Sequence, residues 1–261
     1  MAAKEFPWYD SPWLEAYHRA RRILEEVAPG KIADLESLLA PLRTSSEFTV
    51  RSLPKFLDQD IIAEFSEIIA ELKQEQLERH EVFRFGRMVV HGHPRFTKFQ
   101  CELTSRVSDA VGEEVEPSYN FLSLYNNLGV CEPHLDAPFA KWTLDMCISQ
   151  SDIWPIYIAQ VAPWPQPSDI SKKEWQSEIK NGQQHQFEKY ELNTGDAIIF
   201  GGSSQWHYRE RIPRASKDNF CHLLFLHYVP LGASKILDPA SWASTLAVPE
   251  LDKLSSLTPS D

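Results

Sequence analysis

Near residue 115 the sequence changes its periodicity, and that change limits the folds open to the chain. Apolar residues stop recurring at helical spacing and gather into short aromatic and β-branched runs broken by Gly, Pro and Asn, the mark of strands joined by turns. The runs predict strands over 118–125, 142–148, 156–161, 186–191, 197–200 and 220–229, with 83–90 open to being an earlier strand of the same sheet. Many short strands at this spacing point to a barrel or sandwich. Residues 163–182 carry Pro163, Pro165 and Pro167 and then a polar Lys- and Glu-rich stretch, so they read as a surface insertion or lid with a short helix around 171–180.

Ahead of the change the chain reads as helical. Ser11-Pro12 supplies an N-cap and a favoured first helical residue, and Trp13, Tyr17, Leu24 and Val27 then share one face up to Pro29-Gly30. Residues 50–57 look extended. A second helix is predicted after Asp58 from the spacing of Ile61, Ile62, Phe65, Ile68, Ile69 and Leu72. A third follows Pro94 and stops at Gly112, with Phe96, Phe99, Leu103, Val107 and Val111 as its stripe. This divides the chain into an N-terminal helical region with the first strand or strands (1–114), a β core (115–235) and a C-terminal tail (236–261).

Lys plus Arg number 26 against 37 Asp plus Glu, a net charge of −11. That balance argues against a nucleic-acid or anionic-membrane partner. No apolar run is long enough to span a bilayer. The segment 1–10 carries Lys4, Glu5 and Asp10 and does not read as a secretory leader, and Cys101, Cys131, Cys147 and Cys221 form no C-x-x-C pair. A cytoplasmic protein with reduced thiols is expected.

Among nine histidines only one stands in an H-x-D/E arrangement, His134-Leu135-Asp136. In extended chain, residues two apart point the same way, so this imidazole and carboxylate converge. They would supply two ligands of a 2-His-1-carboxylate triad, which leaves iron positions open. His207 is the candidate for the third. It follows a Gly195-Asp196 turn, the apolar run Ala197-Ile198-Ile199-Phe200, and Gly201-Gly202, which lets the backbone pass close to a neighbour. His91 and His93 have no carboxylate near them in sequence and read as a loop; His222 and His227 fall on opposite sides of the last strand.

Tyr125, the H-x-D tripeptide, an intervening strand, G-D-A-I-I-F and a distal His, in that order, resemble the iron(II)- and 2-oxoglutarate-dependent oxygenases, a double-stranded β-helix (jelly-roll or cupin-like barrel) family. The stretch Leu53-Pro54-Lys55-Phe56-Leu57-Asp58 resembles the entry segment of its prolyl-hydroxylase-like branch. The likeness covers roughly residues 50 to 230. It implies a barrel flanked by helices, with iron(II) on His134, Asp136 and His207, and with 2-oxoglutarate and O2 as cosubstrates. It also implies a basic residue after the distal His that holds the far carboxylate of 2-oxoglutarate. Arg209 and Lys217 both qualify, and Tyr125 is a candidate to donate its hydroxyl to the same cosubstrate. Asp136 occupies the position that halogenating members leave small, so hydroxylation or a related oxidation is implied rather than halogenation. Arg87, Asn127, Lys141, Trp142 and Trp206 are candidates to face a substrate. The expected substrate is a small molecule such as an amino acid or biosynthetic intermediate; a peptide side chain, or a non-enzymatic metal- or ligand-binding barrel, are the other readings.

Overall fold

Pro12 starts the first helix because its fixed φ suits the opening turn and its missing N–H is one the helix leaves free there. In the computed structural model, which describes residues 5–213 and 218–256, this helix is α1 (Pro12–Val27). Ser11 does not cap it as expected: its hydroxyl bonds back to the carbonyls of Phe6 and Trp8 and fastens the segment before the helix. Trp13, Tyr17 and Leu24 are buried, whereas Val27 is exposed. A short helix absent from the sequence reading, α2 (Ile32–Leu39), follows, then β1 (Arg51–Leu53).

Asp58 accepts a hydrogen bond from the Ile61 N–H and so caps α3 (Gln59–Glu71). Residues 83–90 divide rather than forming one strand. Val82–Phe85 is a helical turn, α4, which Gly86 ends at φ +67° before β2 (Arg87–His91) begins. A side chain at Gly86 would also collide with the backbone of Leu128 and Gly129. The third predicted helix is two, α5 (Pro94–Glu102) and α6 (Thr104–Val111), broken at Leu103.

The later strands follow the predicted runs closely: β3 (Val115–Tyr125), β5 (Trp142–Gln150), β6 (Ile156–Val161), β7 (Phe187–Tyr190), β8 (Ala197–Phe200) and β10 (Cys221–Pro230). Two more, β4 (Cys131–His134) and β9 (Gln205–Arg209), carry no apolar run. Helix α7 (Trp175–Asn181) lies within 163–182, and α8 (Ser234–Leu237) and α9 (Trp242–Leu246) follow the last strand.

The strands form two antiparallel sheets, one in the order β1-β8-β5-β10-β3-β2 and one in the order β4-β9-β6-β7. Alternation along each strand divides the core. One face of the larger sheet sends Leu122, Leu144, Leu224 and Leu226 toward Phe65, Phe96 and Phe99 of α3 and α5. The opposite face contributes Ile198, Phe200 and Leu223 to a cluster shared with Ile156 and Ile158 of the smaller sheet. A third cluster joins α1, α2 and α9 to Leu135 and Trp206. Among the described residues no helix is long and apolar enough to cross a membrane.

One polar contact fixes the edge strand. The Asp196 carboxylate accepts the Lys55 N–H at 2.8 Å, and at 2.8 and 2.9 Å the N–H and side-chain amide of Asn193. Burial works against the charge, but these donors hold its pKa below the ordinary carboxylate range. Asp196→Ala is expected to cost about 0.5–1.5 kcal/mol in urea unfolding, the net range for losing a hydrogen bond whose exposed donors water can satisfy. The wild-type contribution is present above the usual aspartate pKa and is lost as pH falls through the lower, folded value. An unchanged midpoint in the variant would contradict this account.

Candidate metal centre and its cavity

Register brings the predicted ligands together. β4 pairs antiparallel with β9 so that His134 lies opposite His207 and Cys131 opposite Arg209. Asp136, two residues past His134, turns to the same point. Its Oδ1 is 3.4 Å from His134 Nε2 and 3.7 Å from His207 Nε2. One ligand atom from each of the three residues lies within 4.8 Å of the others. The outer nitrogens are tied down: His134 Nδ1 is 2.8 Å from the Glu132 carbonyl and His207 Nδ1 is 2.9 Å from the Gln205 carbonyl. A carbonyl can only accept, so each Nδ1 carries a hydrogen and each Nε2 is the nitrogen that faces the carboxylate, free to ligate a metal once any proton it shares with Asp136 is displaced. Two imidazole nitrogens and one carboxylate oxygen, so oriented, form a donor set that fits a divalent transition metal with open positions.

The paired glycines have unequal roles. The Asp136 N–H donates to the Gly202 carbonyl at 2.9 Å, and the Asp136 carboxylate accepts from the Thr143 hydroxyl at 3.2 Å. A Cβ at Gly202 would overlap both Asp136 Oδ2 and Thr143 Oγ1 and come within 2.6 Å of the Ala140 carbonyl. At Gly201 the nearest neighbours are 3.3 and 3.4 Å away. Gly202 is therefore the residue that lets the carboxylate seat.

The three groups polarise one another. Burial opposes charge on His134, yet the Cys131 sulfur and the Asp136 carboxylate more than offset it and hold its pKa well above the ordinary imidazole value. Burial and the neighbouring His134 push His207 down to about 4. Burial would raise Asp136, and the two imidazoles bring it well below the ordinary carboxylate range.

The triad lines a cavity of about 270 Å³. Its floor is the inner face of the larger sheet. Residues two apart on β2, β3 and β10 form it: Arg87, Val89 and His91; Tyr119, Phe121 and Tyr125; Phe225 and His227. Arg209, two residues past His207, lines it from the smaller sheet. Its guanidinium reaches Asp145 Oδ2 at 2.6 Å and also bonds the Trp154 carbonyl. Tyr125 is buried and accepts a hydrogen bond from Arg87 Nη1 at 2.8 Å. Lys217 lies outside the described residues.

Of the residues named for substrate contact, Arg87 lines the cavity. Lys141 and Trp142 instead converge on Glu113, and Trp206 stacks edge-on against Trp8, centroids 4.8 Å apart. His91 does have a carboxylate partner, Glu78, at 2.7 Å, because the bridge between Glu78 and Val89 brings it near. Several wall residues escaped the sequence reading. Asp10 and Tyr9 arrive from the N-terminal segment, Glu81 pairs with Arg87, and Trp175 comes from α7. Burial, then the Asp136 charge, raises Asp10 to about 7. His227 is pushed down to about 4 by burial, with Nδ1 3.2 Å from Thr143 Oγ1.

HygX from Streptomyces hygroscopicus, in a structure with nickel, 2-oxoglutarate and hygromycin B bound, matches at a TM-score of 0.52 and 12% identity over 70% of this chain and 83% of its own. SnoN, a non-haem α-ketoglutarate-dependent epimerase from nogalamycin biosynthesis, matches at 0.53 and 16% over 79% and 89%. This chain shares the fold of non-haem 2-oxoglutarate-dependent enzymes. SnoK, a carbocyclase from the same biosynthesis, matches at 0.52 and 12% over 72% and 83%. No family model matches the sequence, and no curated protein does.

Gly202→Ala is expected to lower affinity for a divalent metal at least tenfold while the protein stays folded, because the displaced group is Asp136. Gly201→Ala should change it little. Titration with manganese(II) or cobalt(II), followed by circular dichroism, separates the two. In the wild type the affinity should fall as pH falls, starting above the ordinary imidazole pKa, since the metal must displace a proton from His134.

Proposed function

We propose that the chain is an iron(II)- and 2-oxoglutarate-dependent oxygenase that oxidises a C–H bond of a small molecule. The observation that carries this reading is the triad itself: two oriented Nε2 atoms and one carboxylate at the wall of a cavity, with His134, Asp136 and His207 as ligands. The strand orders β8-β5-β10-β3 and β4-β9-β6-β7 support a double-stranded β-helix, with 115–235 as catalytic core and 163–182 as an insertion beside it. Assignment to the prolyl-hydroxylase-like branch rests on the segment at 53–58.

When bound, the metal and 2-oxoglutarate supply O2 activation coupled to decarboxylation to succinate. The chain's own residues do the rest. The backbone carbonyls of Glu132 and Gln205 fix the imidazole tautomers, and Thr143 orients Asp136. Asp136 fills the ligand position that a chloride would need, which favours a hydroxylated or desaturated product over a halogenated one. Arg209 would hold the far carboxylate of 2-oxoglutarate, because its fork is buried at the cavity wall beside Tyr125; Lys217 remains the other candidate. Arg87, adjacent to the Tyr125 hydroxyl, adds a second, half-buried guanidinium. The N-terminal segment that walls the cavity favours a small molecule over a peptide laid in an open groove.

The deciding assay is 2-oxoglutarate consumption and succinate formation with iron(II) and O2. Wild type should turn over slowly even without substrate, and His134→Ala, Asp136→Ala and His207→Ala should each lose turnover while staying folded. Full activity in His207→Ala would remove the third ligand from the scheme. Replacing Arg209 alone would strand Asp145, so the pair Arg209→Gln with Asp145→Asn is used. It is expected to weaken 2-oxoglutarate binding by about 2–4 kcal/mol, the range for losing a buried charge partner. An unchanged KM would transfer the anchor to Lys217 or Arg87.

A further inference from the structure

Among the described residues, the charges around the cavity are matched in pairs, with one exception. Arg87 pairs with Glu81, Arg84 with Glu132 at 3.4 Å, and Arg209 with Asp145 at 2.6 Å. Asp136 lies between two imidazoles. Asp10 has no ion pair and no side-chain hydrogen bond among the described residues, although its carboxylate faces the cavity beside the triad.

This placement is built into the fold. The chain before α1 is pinned by the burial of Phe6 and Trp8, by the edge contact of Trp8 with Trp206, and by the Ser11 hydroxyl on the Phe6 and Trp8 carbonyls. Asp10 stands between those anchors, half-buried, with its backbone held at the cavity wall. Burial and the nearby Asp136 charge disfavour a lone anion at Asp10, so a cation entering the cavity would stabilise its carboxylate.

The cavity floor supplies the second half of the argument. Tyr119 stacks on His227 with centroids 4.2 Å apart and planes 28° apart, and Phe121 stacks on Phe225 at 4.9 Å and 27°. The planes of Phe225 and His227 are parallel to within 2°, with centroids 6.4 Å apart. These rings lie nearly parallel and cover one another's faces, so the stack offers ring edges, against which the face of an entering ring system can pack edge-to-face.

We propose that this cavity recognises a cyclic substrate bearing a protonated amine, its ring lying against the Tyr119, Phe121, Phe225 and His227 wall and its ammonium group paired with Asp10. The proposal rests on the oxygenase reading for what happens next to that substrate, but the recognition elements are the chain's own.

The test uses three probes of one shape: tryptamine, indole-3-propionate and 3-ethylindole, which end in an ammonium, a carboxylate and a methyl group. Each is titrated calorimetrically into full-length protein, both metal-free and loaded with zinc(II) and 2-oxoglutarate to prevent turnover. Tryptamine should bind at least tenfold more tightly than either other probe. Asp10→Asn should lose that preference while binding 3-ethylindole as the wild type does, with zinc(II) and 2-oxoglutarate still loading. Equal affinity for the three probes, no binding of tryptamine, or an unchanged preference in Asp10→Asn overturns the proposal. Failure of zinc(II) and 2-oxoglutarate to load, with the tryptamine preference intact, counts against the oxygenase reading instead.

Discussion

The pairing of β4 with β9 is the constraint on which the site depends. It sets His134 opposite His207 and, through alternation, turns the intervening and preceding residues the other way. Leu135, between His134 and Asp136, and Trp206, next to His207, are buried in the cluster built by α1, α2 and α9. Each proposed ligand is thus held from behind by an apolar neighbour whose burial contributes about 1.5–3 kcal/mol. A slip of one residue in this ladder would send the ligands into the apolar cluster and the leucine and tryptophan into the cavity, so the core enforces the register of the chemistry.

This coupling explains what was legible in the sequence. Strands such as 156–161 and 197–200 announced themselves because nearly every residue is apolar or β-branched, and in 197–200 both faces are buried. The triad was legible because H-x-D is a local pattern and His207 followed a turn and two glycines. The strands that carry the proposed ligands were not, since Cys131–His134 and Gln205–Arg209 are short and mix polar with apolar residues, leaving no apolar run. Asp10 left no signal at all. Its role comes from Phe6 and Trp8 packing against residues remote in sequence, which no local periodicity encodes. The same holds for Arg87: only the pairing of β2 with β3 sets it beside Tyr125.

Ser11 shows how one residue's local preference is overridden. Its position before Pro12 has the form of an N-cap, but capping would aim the hydroxyl at the helix's own N–H groups. Bonding the Phe6 and Trp8 carbonyls instead closes a loop that delivers Trp8 to Trp206 and Asp10 to the cavity. The helix forgoes a cap worth about 1 kcal/mol. The loop gains one hydrogen bond, shared between the two carbonyls, and the burial of two aromatic side chains, which outweighs it.

The remaining question is why so many charges are buried near one point. Isolated, each would be expelled or neutralised, because desolvation exceeds what a lone charge recovers. Arg87 with Glu81 and Arg209 with Asp145 solve this by pairing within the wall, and each pair presents a fixed, net-neutral dipole to the cavity. Such dipoles need no reorganisation when a charged ligand enters, unlike water. Burial opposes charge on both guanidinium groups, yet their carboxylate partners, together with Tyr125 beside Arg87, keep both firmly protonated. The positive ends therefore persist across the working pH range, where an imidazole in the same place would titrate. The wall can offer a permanent cationic face to an anionic cosubstrate on the Arg side and a carboxylate on the Asp10 side. Two ligands of opposite charge can then occupy one small cavity without competing for the same ground.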